Sequence, residues 1–280
     1  MNTDISNGAA RLAVCSWSLQ PKDPADLLDK LRATGMTRVQ LALDPLRASP
    51  QIWGQTEDLL KAHGFSVVSG MVGCVGEDYK TMESIRLTGG VAPDATWEEN
   101  RRNMRAAADL AQKMGLTLVT FHAGFVPEDE NDPAYSKMRA RLSEIADIFA
   151  AHGLSAGLET GQESAAGLAQ LLRALNHPHL GVNFDPANMI MYDKGDPVQG
   201  LETLAPWVKQ IHIKDSRRTK VPGTWGQEVV AGTGEVDWRA FFAVVKKAGL
   251  NVNFAIERER GGQRLDDIRA AKALVEQMFV

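Results

Sequence analysis

Eight times in succession this chain passes from a short β-rich apolar segment into a longer segment with helical periodicity, and glycine often marks the helix end. The strand-like segments fall at 11–17 (RLAVCSW), 38–44 (RVQLALD), 65–72 (FSVVSGMV), 116–124 (LTLVTFHAG), 154–160, 180–186, 208–215 and 252–258. The helical patterns between them are DPADLLDKLRATG closed by Gly35, then 51–63, 97–114, 134–152, 165–176, a short one near 197–204, 237–248 and 265–279. The signals are apolar residues at helical spacing in one kind of segment and alternation in the other. Such β–α alternation calls for a parallel sheet with helices against it, and eight repeats can close that sheet. The sequence therefore predicts an α/β fold, a (β/α)8 TIM barrel, as a single domain over 1–280.

Composition agrees with this and excludes several functions. At 280 residues and 44% hydrophobic content the chain can bury a large core. The formal charge of −4, with Lys and Arg scattered, offers no basic stripe for nucleic acid or an anionic membrane. No apolar run approaches the roughly 18 residues of a membrane span, and MNTDISNGAAR lacks a basic segment followed by an apolar one, so a cytoplasmic location is expected. Cys15 and Cys74 lie in apolar segments without metal-type spacing and read as buried thiols.

Four segments of the second half end in metal-ligating residues: Glu159 in LSAGLET, Asp185 in LGVNFDP, His212 in VKQIHIKD and Glu257 in VNFAIERE. Residues alternating with them are apolar (Leu158, Phe184, Ile211, Ile213, Ile256), as a helix-facing side requires. Residues in phase with them are small or polar (Gly157, Asn183, Gln210, Ala255), as a lumen requires. The period of two sends all four ligands to one rim, where carboxylates and an imidazole suit one divalent cation, Mn²⁺ first, with Mg²⁺, Co²⁺ or Zn²⁺ as alternatives. Any one of the four alone reads as a helix cap or salt-bridge partner. Four in register do not. A cation on a ketone and its neighbouring hydroxyl acidifies the C–H between them, and a nearby carboxylate can then move that proton.

Other rim residues are candidates for contacting a substrate. His122 shares the inward phase of Leu118 and Thr120, and a buried structural role is its alternative. Trp17 can stack on a sugar face or simply pack. Lys214 is in phase with His212 and can reach a substrate oxygen, while Asp215 orients a neighbour or caps a turn. The connections 73–95 and 216–236 follow strands at the ligand rim and are candidate lids, the second carrying Trp225. Glu163 reads as the cap of the following helix, Asp237 as the cap of 237–248, and the glycines of AGTGEVDW as a tight loop.

At LET, FDPAN, HIKD, GTGEVDW and IERE the chain resembles the sugar isomerase/epimerase superfamily of xylose-isomerase-like TIM barrels, which includes ketose 3-epimerases, hydroxypyruvate isomerases and inosose dehydratases. The resemblance covers essentially the whole chain. It implies that Glu159, Asp185, His212 and Glu257 hold the metal and that Glu159 and Glu257 act as acid and base on opposite faces of a substrate carbon. Arg218 matches a substrate-binding arginine of ketose epimerases, and Asn188 stands where many relatives have His, able to bond a hydroxyl but not to titrate near neutrality. The expected activity is a metal-dependent isomerase or epimerase of a ketose or keto-sugar, working through an enediolate. A lyase or dehydratase using the same site is the alternative. A DNA-repair endonuclease needs further His ligands, which strand 3 and position 188 do not supply. The expected partner is a small sugar, with homo-oligomerisation left open.

Overall fold

A computed structural model of the protein, describing residues 5–279, shows eight parallel strands closed into a barrel. In chain order the strands are β1 (Leu12–Cys15), β2 (Arg38–Ala42), β3 (Ser66–Met71), β4 (Leu118–Phe121), β5 (Ser155–Glu159), β6 (Leu180–Phe184), β7 (Val208–Ile213), β8 (Asp215–Arg217), β9 (Gln227–Val229) and β10 (Asn253–Ile256). Around the barrel the order is β1, β10, β7, β6, β5, β4, β3, β2, and β8 and β9 form a separate antiparallel hairpin. The expected α/β barrel is what the chain forms. Positions 1–4 and 280 of the expected 1–280 domain lie outside the described residues.

The two faces of each strand are chemically distinct. On β1, Leu12 and Val14 join the large core between strands and helices, whereas Ala13 and Cys15 join Ala255 in a small separate cluster. The outer core includes an aromatic stack against the last two helices: Phe184 lies 5.8 Å from Phe241, and Phe242 5.6 Å from Phe254. All four rings are buried. Each contributes roughly 1.5–3 kcal/mol through removal from water.

The lumen is polar and hydrogen-bonded across its width. Ser69 donates to Gln210 Oε1 (2.6 Å), Gln40 Nε2 to Thr120 Oγ1 (2.8 Å) and Gln210 Nε2 to Asn183 Oδ1 (3.3 Å). Each of these residues is fully buried. They are side chains that the alternation assigns inward, and their mutual bonds remove the penalty of placing polar groups away from water.

Local chemistry sets the helix ends. Asp23 caps Pro24–Thr34 by accepting from Asp26 N, Pro24 supplies a first helical residue that needs no N–H partner, and Gly35 closes the helix at φ 65°. Asp237 caps Trp238–Lys247, as expected. Several boundaries differ from the sequence reading. The helix expected over 51–63 is two short ones, Pro50–Trp53 and Thr56–Ala62, and a further helix, Asp44–Ala48, precedes them, ending where Pro50 cannot continue it. The 73–95 connection contains the helix Met82–Thr88, begun by a reciprocal Thr81–Ser84 capping box. Ser164, and not Glu163, caps Ala165–Leu175. The strand expected to run to 215 stops at Ile213, and Asp215 opens the hairpin.

Asp215 holds this region together. Its carboxylate accepts from the backbone N–H of Gly232 (2.8 Å), Gly234 (3.1 Å) and Val236 (3.2 Å) and from the Trp238 indole (3.1 Å). A Cβ on Gly234 would sit 2.1 Å from Asp215 Oδ1, so glycine alone fits there. Asp215→Ala leaves these donors unmatched and should lower stability by about 3 kcal/mol. Chemical denaturation checks this, and an unchanged midpoint would mean that the loop is held by other contacts.

Candidate metal and active site

The four ligand candidates meet at one end of the barrel. Glu159 is the last residue of β5, His212 is the penultimate residue of β7, and Asp185 and Glu257 each follow directly after β6 and β10. One ligand atom from each lies within 4.8 Å of those of the other three. The imidazole is central: its Nδ1 is 3.4 Å from Glu257 Oε2, 3.5 Å from Glu159 Oε1 and 3.7 Å from Asp185 Oδ2. All four side chains are buried.

Each ligand is oriented by a different local device. Asp185 is the N-cap of the helix Pro186–Met191, in the order Asp, Pro, Ala, Asn; its Oδ1 accepts from Asn188 N at 2.9 Å, which leaves Oδ2 aimed at the cluster. The sequence pattern shows no helix between 186 and 197, so this one is an addition to the expected elements. His212 Nε2 lies 2.8 Å from Gln40 Oε1, which accepts a hydrogen bond there, and 3.0 Å from Asn183 Nδ2, so Nδ1, facing the carboxylates, is the nitrogen that would lose its proton to ligate. Glu159 accepts from Asn188 Nδ2 (3.0 Å) and Asn183 Nδ2 (3.3 Å). Glu257 accepts from Trp17 Nε1 (2.7 Å) and Lys214 Nζ (2.9 Å).

A cation fits this arrangement on two counts. His212 Nδ1 and Asp185 Oδ2 are fully buried, lack a hydrogen-bond partner and face each other across the cluster. Buried polar atoms are seldom left so, and here both are good metal ligands. Charge points the same way. Three carboxylates against the Lys214 ammonium, which lies 3.8 Å from Asp185 and 2.9 Å from Glu257, leave two negative charges. A divalent ion beside a neutral His212 balances them. The titration behaviour reflects the crowding: burial raises the Glu257 carboxyl, but Lys214 and His212 outweigh it and hold it well below the usual range. Burial pushes Asp185 up to about 6 against the pull of Lys214. Burial also depresses His212, yet Glu159, Cys15 and Glu257 overcome it and leave the imidazole well above its ordinary value.

Above the cluster opens a cavity of about 900 Å³ lined by Trp17, His122, Asn188, Lys214, Trp225 and Glu257 among others. Five of the six expected substrate contacts thus line one cavity. Arg218 does not; it is paired with Asp193. His122 Nε2 is 3.7 Å from Glu159 Oε1, and Lys214 Nζ also reaches Asn188 Oδ1 (3.3 Å) and Glu259 (2.7 Å). The hairpin is tied to the rim by Glu228 on β9, which accepts from Arg258 Nη1 (2.7 Å) and Glu259 N (2.9 Å).

Residues passed over in the sequence also shape the site: Gln40, Tyr79, Tyr192 and Glu228. Gln40 carries a legible signal, a polar residue in the inward phase of an otherwise apolar strand. Tyr79 and Tyr192 lie on connections and Glu228 on a three-residue strand within one, where periodicity says nothing.

The model of the xylose isomerase-like TIM barrel family matches residues 28–278. The chain belongs to that family. Its fold is similar to that of a xylose isomerase domain protein from Planctomyces limnophilus, with 31% identity, a TM-score of 0.84, and coverage of 90% of this chain and 91% of that one. A 3-dehydroshikimate dehydratase of Bacillus anthracis is 23% identical over 184 residues, 63% of this chain and 65% of that protein. The chain spans less than two thirds of the length of the curated family relatives it matches. A D-allulose 3-epimerase from Methylomonas sp., solved with D-allulose, shares the fold at a TM-score of 0.71 and 16% identity, covering 95% of this chain and 96% of that one. Among the described residues no helix is long and apolar enough to cross a membrane.

If Gln40 fixes the His212 tautomer, Gln40→Ala should weaken Mn²⁺ binding by roughly 10- to 100-fold. Isothermal titration measures this, and wild-type affinity in the variant would show that another group sets the ring. Because His212 must give up its proton to ligate, Mn²⁺ binding near neutral pH should release about one proton, and affinity should rise with pH. Titration in buffers of different ionisation enthalpy gives the count. Zero release would place the cation away from His212.

Proposed function

We propose that this protein is a metal-dependent isomerase or epimerase of a ketose or keto-sugar derivative, with Glu159 and Glu257 as the acid/base pair. The carrying observation is the chain of contacts Glu257–Lys214–Asn188–Glu159, which links two buried carboxylates that both face His212 Nδ1, Glu257 also lining a roomy cavity. Glu159, Asp185, His212 and Glu257 would hold the cation. A divalent ion supplies Lewis-acid polarisation of a carbonyl and its neighbouring hydroxyl.

The residues of the chain do the rest. One carboxylate, held ionised by its cationic neighbours, accepts the proton from the carbon beside the carbonyl. The other carboxyl, Glu159, returns a proton passed to it by His122, whose Nε2 lies 3.7 Å away and whose pKa, depressed by burial, Glu159 and Glu77 raise on balance. Return to the opposite face of the same carbon inverts it, and return to the former carbonyl carbon moves the carbonyl. Lys214 keeps Glu257 ionised and offers hydrogen bonds to a substrate oxygen, and Asn188 does the second without titrating. Trp17, Tyr192 and Trp225 supply apolar surface against which a sugar face packs and from which water is excluded.

A second reading, a dehydratase, draws on His122. Its Nδ1 is buried without a partner, and although burial depresses its pKa, Glu159 and Glu77 overcome this and raise it, so the ring is a ready proton donor beside Glu159. The resemblance to the Bacillus anthracis dehydratase supports this alternative. Incubation of keto-sugars with Mn²⁺ in deuterated water separates the two: isomers carrying deuterium favour the first, and products that have lost water favour the second.

Glu159→Gln and Glu257→Gln should each slow proton exchange by about 10²- to 10⁴-fold, since an amide accepts no carbon-bound proton. Near-normal turnover in either variant would refute the two-carboxylate scheme. Asn188→Ala should raise KM about tenfold, the loss of one hydrogen bond of 1–2 kcal/mol, with Mn²⁺ affinity retained. Steady-state kinetics decide this, and an unchanged KM would place the substrate away from Asn188.

A further inference from the structure

A second cavity, of about 660 Å³, lies beside the first, walled by the connections after β4 and β5, and shares none of its lining residues. Tyr192 divides them. Its ring lines the first cavity and stands edge-on to Trp225 (4.8 Å between centroids) and to Phe125 (6.0 Å), while its hydroxyl accepts from Gln162 Nε2 at 3.3 Å. Phe125 and Gln162 belong to the wall of the second cavity, together with Glu163 and Lys194.

Two observations mark this cavity as a built site. Gln162 is 3% exposed, and its Oε1 is buried with no hydrogen-bond partner. A buried amide oxygen left unpaired costs about 1–3 kcal/mol, a cost that a donor entering the cavity would remove. Glu163 is also buried at the cavity wall, although the fold does not use it as a helix cap. Burial pushes its carboxyl up to about 8 despite the pull of His122, so near neutrality it is largely protonated and offers both an O–H and a carbonyl oxygen.

The chemistry of the wall selects a class of ligand. The volume is that of a small-molecule site. An aromatic face with an amide and a carboxyl at one end matches a sugar ring, which presents C–H groups on its face and hydroxyls on its edge. Acidic and basic side chains are mixed along the lining, so no single charge is selected.

We propose that the substrate has more than one ring: the reacting keto-sugar ring occupies the cavity above Glu159 and Glu257, and a glycosidically linked ring occupies the Phe125–Gln162–Glu163 cavity. Tyr192 then sits beside the linkage. This rests on the reading of the first cavity as the reaction site.

Equilibrium binding to the Mn²⁺-loaded protein tests it, using cellobiose, maltose, lactose and trehalose against glucose and galactose. At least one disaccharide should bind about tenfold more tightly than its component sugars. Gln162→Ala and Phe125→Ala should each remove most of that margin while monosaccharide and Mn²⁺ affinities stay as in the wild type. Phe125 is half-buried, so its truncation tests the cavity without opening the core. Equal affinity for one and two rings, or a margin that neither variant reduces, overturns the proposal. Turnover plays no part in this measurement. Failure of every sugar to exchange its proton would instead sink the proposed reaction and leave the second-ring site standing.

Discussion

The satisfaction of buried polar groups inside the barrel is the constraint on which the site depends. A lumen filled by Gln40, Ser69, Thr120, Asn183 and Gln210 is tolerable only if each finds a partner, and the network of amide and hydroxyl contacts provides one. Gln40 lies at the junction between support and chemistry: its amide nitrogen bonds Thr120 and its oxygen faces His212. Because the network is closed, the unpartnered atoms at its upper end, His212 Nδ1 and Asp185 Oδ2 among them, stand out. A rigid floor of this kind holds ligands in place before anything binds, which is what tight geometry at a reacting centre requires.

The second constraint is electrostatic. Three carboxylates within reach of one imidazole repel one another, and burial magnifies the repulsion. Lys214 relieves part of it while remaining hydrogen-bonded to Asn188, so the lysine serves as counter-charge and spacer together. The same ammonium is held from outside by Glu259, which is half-exposed.

What could be read from the sequence follows from period. Strand segments alternate with a period of two, so the inward phase of Glu159, Asn183, Gln210 and His212 was legible, as was the closed barrel that eight β–α units demand. Connections lack any period. Asp185 was legible as a rim residue but not as a helix cap, because a helix of six residues is too short to show amphipathicity. Glu163 was assigned to a cap because an acidic residue before a helix resembles one, whereas the adjacent Ser164 does the capping. Arg218 was placed by resemblance alone, and its pairing with Asp193 depends on how the loop after β8 turns, which no local pattern encodes.

The hairpin of β8 and β9 is fixed at both of its feet. Asp215 gathers the returning strand through the backbone donors of 232–236, and Glu228 fastens the other arm to Arg258 and Glu259. Neither anchor involves the tip between 218 and 226, whose side chains include Trp225. Between these mounting points the tip touches the helix Pro186–Met191 and its C-cap, through Gly226 N to Met191 O (3.1 Å) and Trp225 against Tyr192. A change in tip length or composition therefore reaches the cavity through that helix, whose N-cap is Asp185.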